Sequence, residues 1–407
     1  MFRITARALM IGILSVVASQ ATEGDRIVES EDRDRPSQKA THLPRFDRYL
    51  LLEPTSETSA NVSIGDLNGD GNLDIVLVKG RHWPLISRVL LGDGKGHFPT
   101  AYNLGETAYR SYSGRVVDID GDGHPDVVLS NDAPDAKVIY LNDGKGHFHV
   151  GSTYGRADWV TRNVSVADLN GDGLPDIIVA NRSNDPRKAA NYICLNRGHG
   201  RFDSDCVAFA PYPATTITAA DFNRDGRLDL AVPHRDGGQS YVYLAGADTT
   251  YSDSRRIPFG PPDAHIRMAE AADFNGDGFL DIVAIDDAGK TVTIYLGKPD
   301  GTFGSGITIG DHTAVPYALA VADLNSDRKI DIVVGYVEAK PAIYFNDGSG
   351  RNFNSVRFGD NKGTAYGFAI DDLNHDGLLD IAMARSEAPN VVYFGSREPS
   401  ITQGEER

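Results

Sequence analysis

Cysteine is nearly absent from this chain, with two residues in 407, so at most one disulfide can form within it. Beyond residue 21 no apolar run approaches the roughly 20 residues that a membrane-spanning helix needs. There is no Gly-x-Ser-x-Gly elbow, no His-Glu-x-x-His and no phosphate-cradling glycine loop, which removes the common hydrolase and nucleotide readings. Basic residues are outnumbered, with 40 Lys and Arg against 57 Asp and Glu and a formal charge of −17. No nucleic-acid signature is present, and no such partner is expected.

What the chain has in quantity is glycine, 43 residues, and aspartate arranged in a recurring pattern. The stretch from Asp168 to Asp176, Asp-Leu-Asn-Gly-Asp-Gly-Leu-Pro-Asp, has close copies beginning at Asp66, Asp118, Asp221, Asp273, Asp323 and Asp372. The spacing stays between 49 and 53 residues, the mark of one supersecondary unit repeated in tandem.

Within a copy, oxygen side chains stand at positions 1, 3, 5 and 9, and position 6 is glycine for a sharp bend. That pattern can close around a hard cation wanting six or more oxygens, with a carbonyl at position 7. The expected ligands are Asp66, Asn68, Asp70 and Asp74; Asp118, Asp120, Asp122 and Asp126; Asp168, Asn170, Asp172 and Asp176. They continue with Asp221, Asn223, Asp225 and Asp229; Asp273, Asn275, Asp277 and Asp281; Asp323, Asn325, Asp327 and Asp331; Asp372, Asn374, Asp376 and Asp380. Calcium is the expected guest, up to seven ions, since magnesium prefers to retain its waters. Seven such ions would bring the net charge to about −3, so the acidity describes metal ligation more than a basic partner. In the sixth copy Arg328 replaces the position-6 glycine and Lys329 follows it; the fourth carries Arg224 and Arg227. These two sites are expected to be the weakest.

The front of the motif resembles an EF-hand loop, but no glutamate stands at position 12 and the flanks are not helical. Asn163-Val-Ser-Val-Ala167 precedes the third copy and Asp176-Ile-Ile-Val-Ala180 follows it. Such β-branched runs read as strands. A second marker is a glycine-rich hairpin ending in phenylalanine, at 91–98, 141–148, 195–202, 296–303 and 345–353. Each unit thus reads strand, acidic loop, strand, variable loop, strand, hairpin, strand. Seven units of four antiparallel strands predict an all-β, seven-bladed β-propeller over 45–396. Phe46 lies 20 residues before Asp66, the interval that separates other hairpin phenylalanines from the next loop. The N-terminal strand Phe46–Leu52 should therefore complete the last blade, which ends at Asn390–Phe394, and remove the open edge.

On these residues the repeats resemble the FG-GAP/VCBS family, whose propellers include the integrin α-subunit head. The resemblance implies a seven-bladed propeller with calcium between the first two strands of each blade. It does not fix a function, because adhesion proteins, lectins and some carbohydrate-cleaving or dehydrating enzymes share the repeat.

Residues 1–21 carry Arg3 and Arg7, the apolar run Ala8–Ala18 and small residues at Ala18, Ser19 and Ala21, the pattern of a secretory signal peptide. A disordered polar linker is expected at 22–44 and a loose tail at 397–407. The mature protein should be secreted or periplasmic, without a membrane span, and monomeric. Export favours a disulfide between Cys194 and Cys206 across one hairpin over two buried thiols.

Function is expected on the face opposite the acidic loops. Six residues before each first aspartate stand Ala60, Tyr112, Arg162, Thr215, Arg267, Tyr317 and Tyr366. Thirteen after it stand Lys79, Asn131, Asn181, His234, Asp286, Tyr336 and Arg385, and both sets should ring the axis. With Arg81, His82, Trp83, Arg110, Arg156, Trp159, Arg182, Arg235 and His265 nearby, that face suits an anionic or hydroxyl-rich ligand. The favoured reading is a binding or adhesion module for a glycan or extracellular protein, held by Tyr112, Arg162, Arg182, His234, Arg267, Tyr317, Tyr336, Tyr366 and Arg385. The runner-up is a lyase on an acidic polysaccharide, with Arg162, Arg267, His234, Tyr317 and Tyr366 as catalytic candidates. His97, His147 and His199 read as hairpin turn residues, and Asn61, Asn163 and Asn181 match glycosylation sequons.

Overall fold

A computed structural model describes residues 43–202 and 206–397. The expected signal peptide, nearly all of the linker and residues 398–407 of the tail lie outside the described residues. The strands form seven four-stranded antiparallel sheets, one per repeat, and the described residues contain no α-helix. In the closing sheet, Arg45–Leu51 pairs antiparallel with Val391–Ser396, in the register Tyr49 with Tyr393 and Leu51 with Val391. The seven-bladed propeller and its closing N-terminal strand are thus as the repeat spacing predicts.

The period of the sequence explains the layering. Second strands such as Asp74–Lys79, Asp126–Asn131 and Asp176–Asn181 are buried along their whole length, because both of their faces meet a neighbouring blade. The core accordingly lies between blades. One cluster joins Val76, Val78 and Val89 of the first blade to Val127, Leu129 and Tyr140 of the second. The innermost strands add polar ties: Ser63 donates to the Gly114 carbonyl at 2.8 Å, and Thr218 donates to the Ala269 carbonyl at 2.7 Å.

Closure has its own polar device. Ahead of the first blade, Glu53 accepts from the Lys79 ammonium and from the Asn390 amide of the last blade, and Asn390 also donates to Ser59 Oγ at 2.8 Å. Glu53 and Lys79 side chains are each 1% exposed, while Glu57, the second carboxylate on Lys79, is 44% exposed. Cys194 and Cys206 are joined by a disulfide, their Cα atoms 4.4 Å apart.

Candidate functional site

The two ends of the innermost strands carry the two candidate sites. At the loop end, position 2 is an apolar anchor in every copy, and residues such as Leu67, Ile119 and Phe274 are buried. The position-9 aspartate is fully buried in all seven blades. One of its oxygens accepts the backbone N–H of position 2, as Leu67 to Asp74 at 2.8 Å, and the other accepts a backbone N–H at the end of the third strand, as Gly92 to Asp74 at 2.8 Å. The position-1 carboxylate accepts the N–H of position 6 and that of position 4 or 5, as Gly71 and Gly69 to Asp66 or Gly226 and Asp225 to Asp221. The loop is thereby prefolded with its oxygens drawn together. In the second copy, carboxylate oxygens of Asp118, Asp120 and Asp126 lie within 4.8 Å of one another.

Burial raises the position-9 carboxyls, Asp74 to about 6 and Asp126 to about 7, and the carboxylates beside them raise them further against the opposing backbone hydrogen bonds. A hard divalent cation among these oxygens would offset both causes, so the donor set fits one. The departures in the sequence have structural counterparts. Arg328 sits at φ 66°, where a side chain is strained. Arg227 pairs with Asp225, and the Lys329 ammonium lies 3.4 Å from Asp327, so cationic side chains already occupy oxygens at these two loops.

At the other end, the first ring of side chains is built by β-bulges. Register shifts occur at Ser59/Asn61, Ser111/Ser113, Thr161/Asn163, Ile266/Met268, Pro316/Ala318 and Ala365/Gly367. The extra residues are therefore Ala60, Tyr112, Arg162, Arg267, Tyr317 and Tyr366, and a bulge re-aims its extra side chain. Arg267 lies with its guanidinium 3.4 Å from the Tyr317 ring centroid, Arg162 4.3 Å from Tyr112, and Arg81 3.8 Å from Tyr366. Tyr317 and Tyr366 meet edge to face, centroids 4.8 Å apart.

The cations of this mouth differ in their partners. Arg162 pairs with Asp132 at 2.7 Å, Arg182 with Asp236 at 2.6 Å, and Arg235 with Asp287. Among the described residues Arg267 and Arg81 have no carboxylate within ion-pair distance. Arg267 is 9% exposed, and its Nε donates to the Tyr317 carbonyl at 2.9 Å. Burial holds its guanidinium below the usual value. Burial would raise Tyr317, but Arg267, the Tyr366 hydroxyl, Arg81 and Arg235 bring it below an ordinary phenol, while burial pushes Tyr366 up.

The second expected ring does not reach the axis. Asn131 and Asn181 are fully buried and bond Ser111 and Thr161. Tyr336 is 4% exposed and bonds Tyr344, and Arg385 is 2% exposed and pairs with Asp360. His234 stacks on Tyr212, and burial lowers its imidazole. None of the seven lines the axial cavity, because at the ends of the second strands, away from the bulges, side chains such as Asn131, Asn181 and Tyr336 pack between blades. Asn61 and Asn181 are buried, and Asn163 accepts from Arg115 inside the channel, so none of the three sequons presents its amide outward. His97 and His147 lie exposed beside Asp93 and Asp143 in their hairpin turns.

Two residues on the axis are not among the sequence candidates: Arg115 and Glu270. Both stand three before a first aspartate, where the other copies have Ser63, Ser165, Thr218, Ala320 and Ala369. Aligning that column exposes the only two charges in it.

A ring of seven sheets with acidic loops at one end and a guanidinium–tyrosine mouth at the other defines a repeat β-propeller. A family profile described as FG-GAP-like repeat matches residues 66–129, 118–179, 168–232, 273–334 and 323–383, and the chain belongs to that family. No curated protein sequence matches it. Similar solved structures include BBS1N in complex with ARL6DN, in crystals soaked with lead or mercury. The two are 12% and 14% identical, with a TM-score of 0.56 each, and the alignments cover 86% of this chain and 97% and 96% of theirs. At that identity the likeness concerns the fold. No helix among the described residues is long and apolar enough to cross a membrane.

Proposed function

We propose that the protein is an exported, calcium-stabilised binding module whose axial mouth takes the anionic group of an extracellular ligand, an acidic glycan before an acidic protein segment. The observation that carries this is Arg267: a nearly buried guanidinium without a carboxylate partner among the described residues, aimed into the channel mouth. A buried cation with no carboxylate partner is costly even where a carbonyl and a ring face it, and an anionic ligand relieves it through paired hydrogen bonds. The tyrosine faces beside it suit sugar rings. A glycan is favoured over a protein surface because the cavity that Arg267 lines measures about 240 Å³, too small for a folded surface to enter. Export is supported by the residue 1–21 pattern and the Cys194–Cys206 disulfide. Extracellular calcium modules bind with Kd of roughly 10⁻⁴ to 10⁻³ M, which suits loops of this composition.

Titration calorimetry with polygalacturonate and with a neutral glucan tests the reading. Binding of the acidic polymer alone, weakened at least tenfold by Arg267→Ala, is the expected result; equal binding of both polymers, or none of either, refutes it. The lyase reading is kept for one observation, Tyr317, an acidified phenol against Arg267. A phenolate there could remove the proton beside a uronate carboxylate held by the guanidinium. Absorbance of an unsaturated product from the same polymer would establish it, and turnover unaffected by Tyr317→Phe would exclude Tyr317 as the base.

A further inference from the structure

The mouth opens on an axial cavity of about 240 Å³, lined by residues of all seven blades. Pockets that bury a drug-sized ligand run from roughly 300 to 1,000 Å³, so this one has room for a single small polar unit. Two larger clefts lie elsewhere, one of about 480 Å³ against the fifth blade, lined by Ala284, Thr293 and Tyr295, and one of about 440 Å³ between outer segments of the fifth and sixth blades. Neither gathers opposed unpaired charges.

The walls of the axial cavity are polar and incompletely satisfied. Thr215 Oγ1 and Thr216 Oγ1 are buried without a hydrogen-bond partner among the described residues. Glu270 has no hydrogen bond or ion pair there, and burial raises it to about 7 despite the opposing effect of Arg115. Arg115 reaches only Asn163 Oδ1 at 3.3 Å and the Gly114 carbonyl at 3.5 Å, both long contacts. Two buried hydroxyls without partners, beside a half-buried carboxylate and guanidinium that lack good ones, are the kind of groups that water or a ligand serves in native proteins. Arg115 belongs to the second blade and Glu270 to the fifth, nearly opposite in a ring of seven.

Arg267 and Glu270 share one strand. The bulge at Ile266/Met268 breaks the alternation, so both line the cavity although they are three residues apart. About 10 Å of extended backbone separates them. A ligand filling this space must offer an anion at the mouth and, deeper in, groups that both donate, to Glu270, and accept, from Arg115 and the threonines. A ring bearing one carboxylate and several hydroxyls does so.

Building on the anion-binding mouth, we infer that the axial cavity is a chain-end subsite, taking one terminal acidic sugar with its carboxylate on Arg267 and its hydroxyls on Glu270, Arg115 and Thr216. An internal unit carries two glycosidic neighbours, and a cavity of this size lined by seven blades accommodates neither.

Calorimetry with galacturonate, digalacturonate and long polygalacturonate at equal total uronate tests this. Affinity is expected to follow the concentration of chain ends, so the dimer outcompetes the same mass of polymer, and the monomer binds measurably. Glu270→Gln, nearly isosteric, should weaken all three probes at least tenfold without lowering the melting temperature, as should Arg267→Ala. Affinity that follows internal units and ignores Glu270→Gln overturns the chain-end subsite while leaving the mouth as the binding site. Absence of binding by every uronate probe overturns both.

Discussion

Removing Glu53 should open the seam of the ring. Its carboxylate lies between the first and last blades and serves two buried donors, the Lys79 ammonium and the Asn390 amide. Taking one partner from a buried ion pair costs about 3–5 kcal/mol, because the remaining charge stays desolvated. Two contacts temper that figure. Lys79 keeps Glu57, although Glu57 is 44% exposed and its attraction is screened; Asn390 keeps Ser59 Oγ at 2.8 Å. The expected loss for Glu53→Ala is therefore near the lower bound, about 3 kcal/mol. With an m-value of roughly 3 kcal/mol/M in urea, the midpoint should fall by about 1 M.

The double variant Glu53→Ala with Lys79→Met supplies the internal check. It removes both charges and leaves an apolar side chain at a site that is 1% exposed, a replacement that is often neutral or stabilising. The midpoint should return most of the way to that of the parent. If the double variant is as unstable as the sum of the two single variants, the seam is not held by this ion pair and the reasoning fails.

Three further outcomes follow from the loops and the channel. At about ten times Kd each calcium site adds roughly 1.4 kcal/mol, so seven sites approach the whole stability of an ordinary domain; excess chelator should lower the melting temperature steeply, and an unchanged melt excludes structural calcium. Arg328→Gly relieves a side chain held at φ 66° and should add about 1 kcal/mol, read as a rise in denaturation midpoint, with tighter metal binding at that loop in a titration resolving individual sites. Glu270 ionises near 7 when folded but from about 4.5 when unfolded, so the native state holds the extra proton between those values; stability should fall as pH rises from 4.5 to 7, and the slope should shrink in Glu270→Gln.

The fold was legible because its signals are local and repeated. Seven acidic loops, their β-branched flanks and the glycine hairpins each specify a strand end or a turn, and Phe46 at hairpin spacing specified the closing strand. The mouth was only half legible. Counting six back from each first aspartate finds the bulged residues, but the bulge is a pairing irregularity between two strands and leaves no residue-type signature. The same counting applied forward from the loop led to Tyr336 and Arg385, which pack between blades. Arg115 and Glu270 were readable only as exceptions within a column of small residues, and their meaning depends on a distance across the axis that sequence spacing does not encode. Glu53 gave no signal, because its two partners lie 26 and 337 residues away.

The bulge positions allow a contrast at one structural address. Arg162 and Arg267 occupy equivalent places, yet Arg162 is paired with Asp132, both side chains mostly buried, while Arg267 has no carboxylate among the described residues. Arg162→Met strands Asp132 at 13% exposure and should cost about 3–5 kcal/mol. Arg267→Met removes a buried charge that has no carboxylate partner among the described residues, together with its hydrogen bond to the Tyr317 carbonyl, and keeps apolar contact with Tyr317. The gain is offset by the lost cation–π contact, worth roughly 0.5–2 kcal/mol. The net should be a free protein about 1 kcal/mol more stable that no longer binds its anionic ligand, the trade expected where a site is maintained for function at the expense of stability. Urea denaturation of both variants without ligand decides the matter. Equal destabilisation by the two substitutions would mean that Arg267 is a structural residue with a partner in the folded protein, and the anion-binding mouth would lose its main support.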